Sequence, residues 1–216
     1  MRRSLISAGC AICFALAAAT LVKAQEVVDR IVARVENDII LLSDVQALQR
    51  YQELLDGKSE SDSAILDRLI DQWIVRSEAD LSQFPQPKEP DIDRELSRVE
   101  KSFASPAEYE TRKKQSGLTD AEVRKIVVSQ LYLSNYLDSR FRPSAQIDEK
   151  AIEDFYQNKL VPTAKQRGLT PPTLDAARDT IQEVLVQTDI NEQADRWLKE
   201  SRDRLHIQKY LDEGTK

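Results

Sequence analysis

The chain has 216 residues, with 31 Lys and Arg against 37 Asp and Glu, a single His and two Cys. The acidic excess argues against a nucleic-acid partner, because phosphate binding needs concentrated positive charge. Cys10 and Cys13 stand near the start, and His206 is the lone histidine. The usual metal sets, thiol nucleophiles and histidine triads therefore cannot be assembled from the rest of the chain. Gly57, Gly117, Gly168 and Gly214 are each isolated, so no phosphate-cradling loop is expected.

Met1-Arg2-Arg3 precedes an uncharged stretch rich in Ala and Leu from Leu5 to Val22, and Val22-Lys23-Ala24 approximates a small-x-small cleavage site. This is the order of parts in a secretory signal. It predicts a leader over 1–24, a mature start at Gln25, a periplasmic location and no stable membrane insertion after cleavage. A retained anchor is the alternative, since about 18 apolar residues lie at the lower edge of a membrane span. Lipoprotein processing does not fit, because Ser7 stands three places before Cys10 and the apolar run continues past that cysteine. Cleavage removes both cysteines and three basic residues, leaving a mature charge of about −9.

Beyond the leader, Val27 to Val35 alternates, with Ile31, Ala33 and Val35 on one face and Arg30, Val32 and Arg34 on the other, as in a half-buried strand. Glu36-Asn37-Asp38 reads as a turn and Ile39 to Leu42 as a returning strand. Ser43-Asp44 opens a helix through Val45, Leu48, Tyr51 and Leu55 that stops at Gly57. A second helix, from about Ser63 to Phe84, places Leu66, Leu69, Ile70, Trp73, Ile74 and Leu81 on one stripe. Pro85, Pro87 and Pro90 then make an extended connector.

Asp91 restarts a helix through Ile92, Leu96, Val99 and Phe103, and Ser105-Pro106 caps and opens another that ends at Gly117. The Arg112-Lys113-Lys114 run within it reads as a solvated face. Thr119 caps the most apolar helix, running to Phe141, whose broad surface predicts a central position. A shorter helix covers Asp148 to about Leu160. After Gly168 and Pro171-Pro172, a run of about 30 residues from Thr173 carries Leu174, Ala177, Ile181, Val184, Leu185, Ala194, Trp197, Leu198 and Leu205. His206 to Leu211 alternates again and is expected to be a third strand.

The stretch Val27-Val28-Asp29-Arg30-Ile31-Val32-Ala33-Arg34-Val35-Glu36-Asn37-Asp38-Ile39-Ile40-Leu41-Leu42-Ser43-Asp44-Val45 resembles the opening hairpin of SurA-type periplasmic chaperones. Leu66 to Gln72 is similar to that family's second helix, as are Phe103 to Tyr109 and Ser116 to Thr119 to its next segments. Ile147 to Tyr156 resembles its connector helix, and Ala176 to Leu211 its closing helix and strand. Many relatives carry a parvulin-type prolyl isomerase domain between these last two parts. Here only the stretch between Leu160 and Thr173 separates them, so isomerase activity is not expected.

The resemblance implies a mainly α fold, a SurA N-terminal-like chaperone core with a small antiparallel sheet made by the N-terminal hairpin and a C-terminal strand. One domain over 25–216 is expected, with a helical core at 43–160 and a returning helix and strand at 173–211. It implies an ATP-independent periplasmic chaperone, not an enzyme, without metal or cofactor. Its partners would be unfolded or partly folded exported and outer-membrane polypeptides. A degenerate prolyl isomerase and a structural envelope adaptor are the alternatives. Phe84, Phe103, Tyr109 and Tyr132 are the candidate client-binding side chains.

Overall fold

The computed structural model describes residues 29–211. The expected leader over 1–24, with Cys10 and Cys13, lies outside the described residues. The described chain is mainly helical with one small antiparallel sheet. Strand β1 (Ile31–Val35) pairs with β2 (Asp38–Leu41) on one side and with β3 (Ile207–Lys209) on the other, giving the order β2-β1-β3. Ala33 faces Ile40 across one ladder and Lys209 across the other, so the start and the end of the fold share a single strand.

The alternation expected in β1 holds for Ala33 and Val35, which are buried, but Ile31 is exposed and Val32 is buried. The register shifts between Ile31 and Ala33. Such a bulge re-aims one side chain and brings Val32 onto the inner face beside its neighbour. The hairpin turns at Glu36-Asn37, and Glu36 has a φ of 52°, a left-handed conformation unusual for a side chain with a Cβ. Two hydrogen bonds hold it. The Glu36 N–H donates to the His206 carbonyl at 3.0 Å, and the His206 N–H donates to Glu36 Oε1 at 2.7 Å.

Helix α1 (Leu42–Asp56) follows β2 without a loop. Its free N–H groups are met from two directions: Asp29 accepts from the Ser43 N–H at 3.2 Å and from the Ser43 hydroxyl, while Asp44 accepts from the Leu41 N–H at 3.0 Å. The Ser43 hydrogen bonds hold the Asp29 carboxyl below the usual carboxylate range. Carboxylates here also complement the positive end of the helix dipole. Leu54, rather than the expected Leu55, is the fully buried leucine of the last turn, and Gly57 ends the helix at φ 72°.

Helix α2 (Asp62–Leu81) starts from the Ser61 cap and packs Ile65, Leu66, Ile70 and Ile74 under the sheet. Leu81, expected on that stripe, is 78% exposed. The chain reverses after it, and the Phe84 N–H returns to the Ala79 carbonyl at 2.9 Å, so Phe84 covers the core face that Leu81 would have filled. Helix α3 (Glu89–Lys101) begins two residues before Asp91 because Pro90 falls in the first turn, where an N–H has no intrahelical partner to lose. Helices α4 (Pro106–Ser116) and α5 (Asp120–Phe141) have the expected caps, with Thr119 and Glu122 forming a reciprocal capping box.

Helix α5 is central and touches α1, α2 and α3. Helix α6 (Glu149–Phe155) does not stop near Leu160 but passes through a π turn (Tyr156–Leu160) into α7 (Val161–Gln166). The wider π turn accommodates Pro162, whose missing N–H would otherwise break the ladder. Helix α8 (Leu174–Arg202) then spans the molecule, packing on α6 early and on α5 and α2 later. Because its partners change along its length, its buried face rotates: Val186 and Ile190 are buried, and the expected Val184 is exposed.

The far end of α8 brings Trp197 and Leu198 to the sheet core, and Leu205 and Ile207 follow. A chain ending before Thr173 is therefore expected to lose cooperative urea unfolding, because a two-stranded hairpin is marginal without a third strand and helix packing. At the turn, Glu36→Ala is expected to cost about 1 kcal/mol through the lost side-chain hydrogen bond. Glu36→Gly should stay near neutral in the same urea titration, since it also releases about 1 kcal/mol of left-handed backbone strain.

Candidate functional site

The four aromatic side chains singled out by sequence do not meet on one surface. Phe103 and Tyr109 stack edge to face at 5.4 Å in a cluster with Tyr51, Leu54 and Val127. Phe84 lies 5.9 Å from Tyr132 and 5.5 Å from Tyr136 in another. Tyr109 and Tyr132 are buried, Tyr132 with 1% of its surface exposed, while Phe84 and Phe103 are partly buried. Burial raises the phenol pKa of both tyrosines, and for Tyr132 the hydrogen bond to Asp80 Oδ1 at 2.7 Å adds to it. Burial also pushes the Tyr51 phenol up to about 12.

The basic run on α4 is not uniformly solvated. Lys113 is buried, donates to Glu110 at 2.8 Å and to Asp120, and sits 4.9 Å from the Tyr109 ring centroid. Burial disfavours its charge, yet the two carboxylates outweigh that and raise its pKa. Lys113 thus ties the α4 to α5 corner together, and the alternation of sequence charge gave no sign of it.

A groove of about 470 Å³ opens between β2, α1, α2 and α5. Its apolar lining comes from Ile39 and Ile40 on β2, Leu48 on α1, Leu69 and Trp73 on α2, and Ile126 on α5. A smaller depression shares Trp73 and Arg76 with it and carries the trough along α2 to Leu81. Ile39 is 47% exposed at one end. Beside it runs the outer edge of β2, which has no strand partner among the described residues.

The walls are held by polar contacts. The Trp73 indole N–H donates to Asp38 Oδ2 at 2.9 Å, fixing the ring against the start of β2. Arg76 donates to the Ser129 hydroxyl and lies 5.9 Å from the Tyr132 ring centroid. Arg50 approaches Glu122 at 3.8 Å, and its buried Nε has no hydrogen-bond partner. Glu122 is committed to the Thr119 cap, whose hydrogen bonds lower its pKa.

Among the described residues, no three His, Cys, Asp or Glu side chains gather as metal ligands would, and no helix is long and apolar enough to cross a membrane. His206 lies at the entry to β3, its Nε2 2.8 Å from Gln208 Nε2. The groove offers apolar contact, a strand edge, and both charges, with Arg50, Arg76 and Lys125 beside Asp44 and Glu122. Sequence periodicity placed Leu69 and Trp73 in a core stripe; both do pack against the core and, half-buried, also form walls of the groove. The available signal was the width of that stripe, which exceeds what one helix face can bury in a single partner. No family model matches the chain, and no curated protein matches it.

Tyr132→Phe is expected to destabilise the fold by about 1 kcal/mol, because Asp80 loses its donor. Polypeptide binding, followed by fluorescence anisotropy with an unfolded labelled protein, should be unchanged in that variant. A loss of binding at full stability would place Tyr132 in the binding surface.

Proposed function

We propose that this protein is an ATP-independent periplasmic chaperone that holds unfolded or partly folded exported and outer-membrane polypeptides. The observation that carries the reading is the apolar groove lying alongside a sheet edge that is unpaired among the described residues. An extended chain can hydrogen-bond to such an edge while alternate side chains enter the adjoining groove. Main-chain pairing is indifferent to sequence, which suits a binder of many clients. The leader expected at 1–24 and the resemblance of the opening hairpin to SurA-type chaperones support the same reading.

The hairpin signature has a physical role consistent with this function. Asp29 and Asp44 anchor the start of α1 directly after β2, so the free edge stays short and rigid beside the groove. Short edges of this kind resist uncontrolled pairing with other chains. Stoichiometric mature protein is expected to suppress light scattering from a denatured outer-membrane porin without nucleotide. Ile39→Asp, which puts a charge into the groove mouth, should weaken that protection. Unchanged scattering with the wild-type protein would overturn the chaperone reading.

A further inference from the structure

We propose that a second groove, over the π turn and α7, docks an acidic polypeptide segment that presents an apolar side chain. This groove encloses about 370 Å³ and is lined by Phe155, Leu160, Ala164, Leu169 and Pro172, with Lys159 and Arg167 also lining it. It shares no residue with the groove beside β2.

Its charge is unusual for this chain. Although 37 of 216 residues are acidic, none lies between Phe155 and Thr173, while Lys159, Lys165 and Arg167 do. Of the nearest carboxylates in sequence, Asp154 and Asp175 are paired, while Glu153 has no ion pair among the described residues. Asp154 binds Lys150, and Glu149 and Asp175 both bind Arg178. Among the described residues the three cations have no ion-pair partner, and two of them, Lys159 and Arg167, line the groove, whose lining holds no carboxylate.

The groove is also built rather than loose. Gly168, at φ 69°, lets the Gly168 N–H reach the Lys165 carbonyl at 3.0 Å and the Leu169 N–H reach the Ala164 carbonyl at 2.9 Å. This pair of hydrogen bonds is the Schellman helix end, in which the residue after the glycine normally packs back on the last turn. Leu169 is held in that position yet remains 61% exposed. The opposite rim is pinned by the Tyr156 hydroxyl donating to the Pro172 carbonyl at 2.7 Å, and the Pro171-Pro172 pair limits backbone freedom there. Apolar surface held rigid and left open binds at low ordering cost.

Concavity selects the partner. A flat lipid surface would meet the projecting Leu169 but leave the groove unfilled, whereas a cavity of a few hundred Å³ accommodates one or two side chains of a polypeptide. Carboxylates flanking that side chain would meet Lys159 and Arg167.

The test is fluorescence anisotropy of the full mature protein with labelled peptides of about twelve residues, a Leu and Phe core flanked by Glu or, in the counterpart, by Lys. The Glu-flanked peptide is expected to bind about tenfold tighter, from two or three partly exposed ion pairs. That preference should vanish in the Lys159→Gln, Arg167→Gln double variant and at 1 M salt, where the screening length falls to about 3 Å. Leu169→Asp should weaken the Glu-flanked peptide with the circular dichroism spectrum unchanged.

Equal affinity for the two peptides, or a preference that survives the double variant, would overturn the proposal. So would binding to phosphatidylglycerol vesicles with no binding of the acidic peptide. The porin scattering assay reports on the other groove, so failure here leaves the chaperone reading to stand or fall separately.

Discussion

Everything in this fold depends on β1 being paired on both sides. Its inner face, Val32, Ala33 and Val35, is fully buried, and burial of that kind requires cover that two strands and α1 cannot supply. Ile65, Leu66, Ile70 and Ile74 of α2 supply part of the cover, and the rest comes from the other end of the chain, where α8 delivers Trp197 and Leu198 and β3 closes the second ladder. Arg202 and Lys209 reinforce the return: Arg202 donates to Asp71 at 2.7 Å and to Asp67 at 3.1 Å, and Lys209 meets the same Asp67 at 2.5 Å. These two cations outweigh the burial of Asp67, which would raise its pKa, and lower it instead. The pairs are partly exposed, so they orient the closing segment more than they stabilise it.

That closure also positions the surfaces available for binding. With β3 occupying one side of β1, β2 becomes an edge, and its free side falls next to the walls made by α1, α2 and α5. The groove is therefore a consequence of strand order. The α6 to α7 groove has a different origin, in a π turn and a glycine-ended helix that α8 leaves uncovered as it turns toward the sheet. An acidic chain carrying one locally basic, apolar hollow and one strand-edge trough has two chemically distinct contact surfaces, with separate partners in view.

Helix caps, the hairpin, the proline connector and the returning strand were legible in the sequence, because each rests on local chemistry. Ser105, Thr119 and Thr173 accept backbone N–H groups at the helix starts, and Gly57 and Gly117 end helices in the left-handed conformation, whereas the Ser61 cap lies two residues before the expected helix start. Asp29 and Ser43 both fall in the hairpin stretch singled out in the sequence, and the hydrogen bonds from the Ser43 N–H and hydroxyl to the Asp29 carboxylate join the two ends of that hairpin. Local patterns could not foresee the bulge at Val32, since a one-residue slip in pairing is decided by what lies across the ladder.

The candidate site was far less legible. By sequence, Phe84, Phe103, Tyr109 and Tyr132 stand out as the apolar side chains that most exceed the needs of a core, and the fold divides them between two core clusters. The groove beside β2 draws Ile39, Trp73 and Arg76 from separate elements, whereas Arg167 and Leu169 of the second groove are near neighbours in sequence that no periodicity singles out. Short-range hydrogen bonding and period thus determined the elements, their ends and the mainly helical class from the sequence alone. Which apolar side chains are covered, which strand becomes an edge and which cations stay unpaired were decided by tertiary packing, because each depends on a neighbour that the chain brings from a distance.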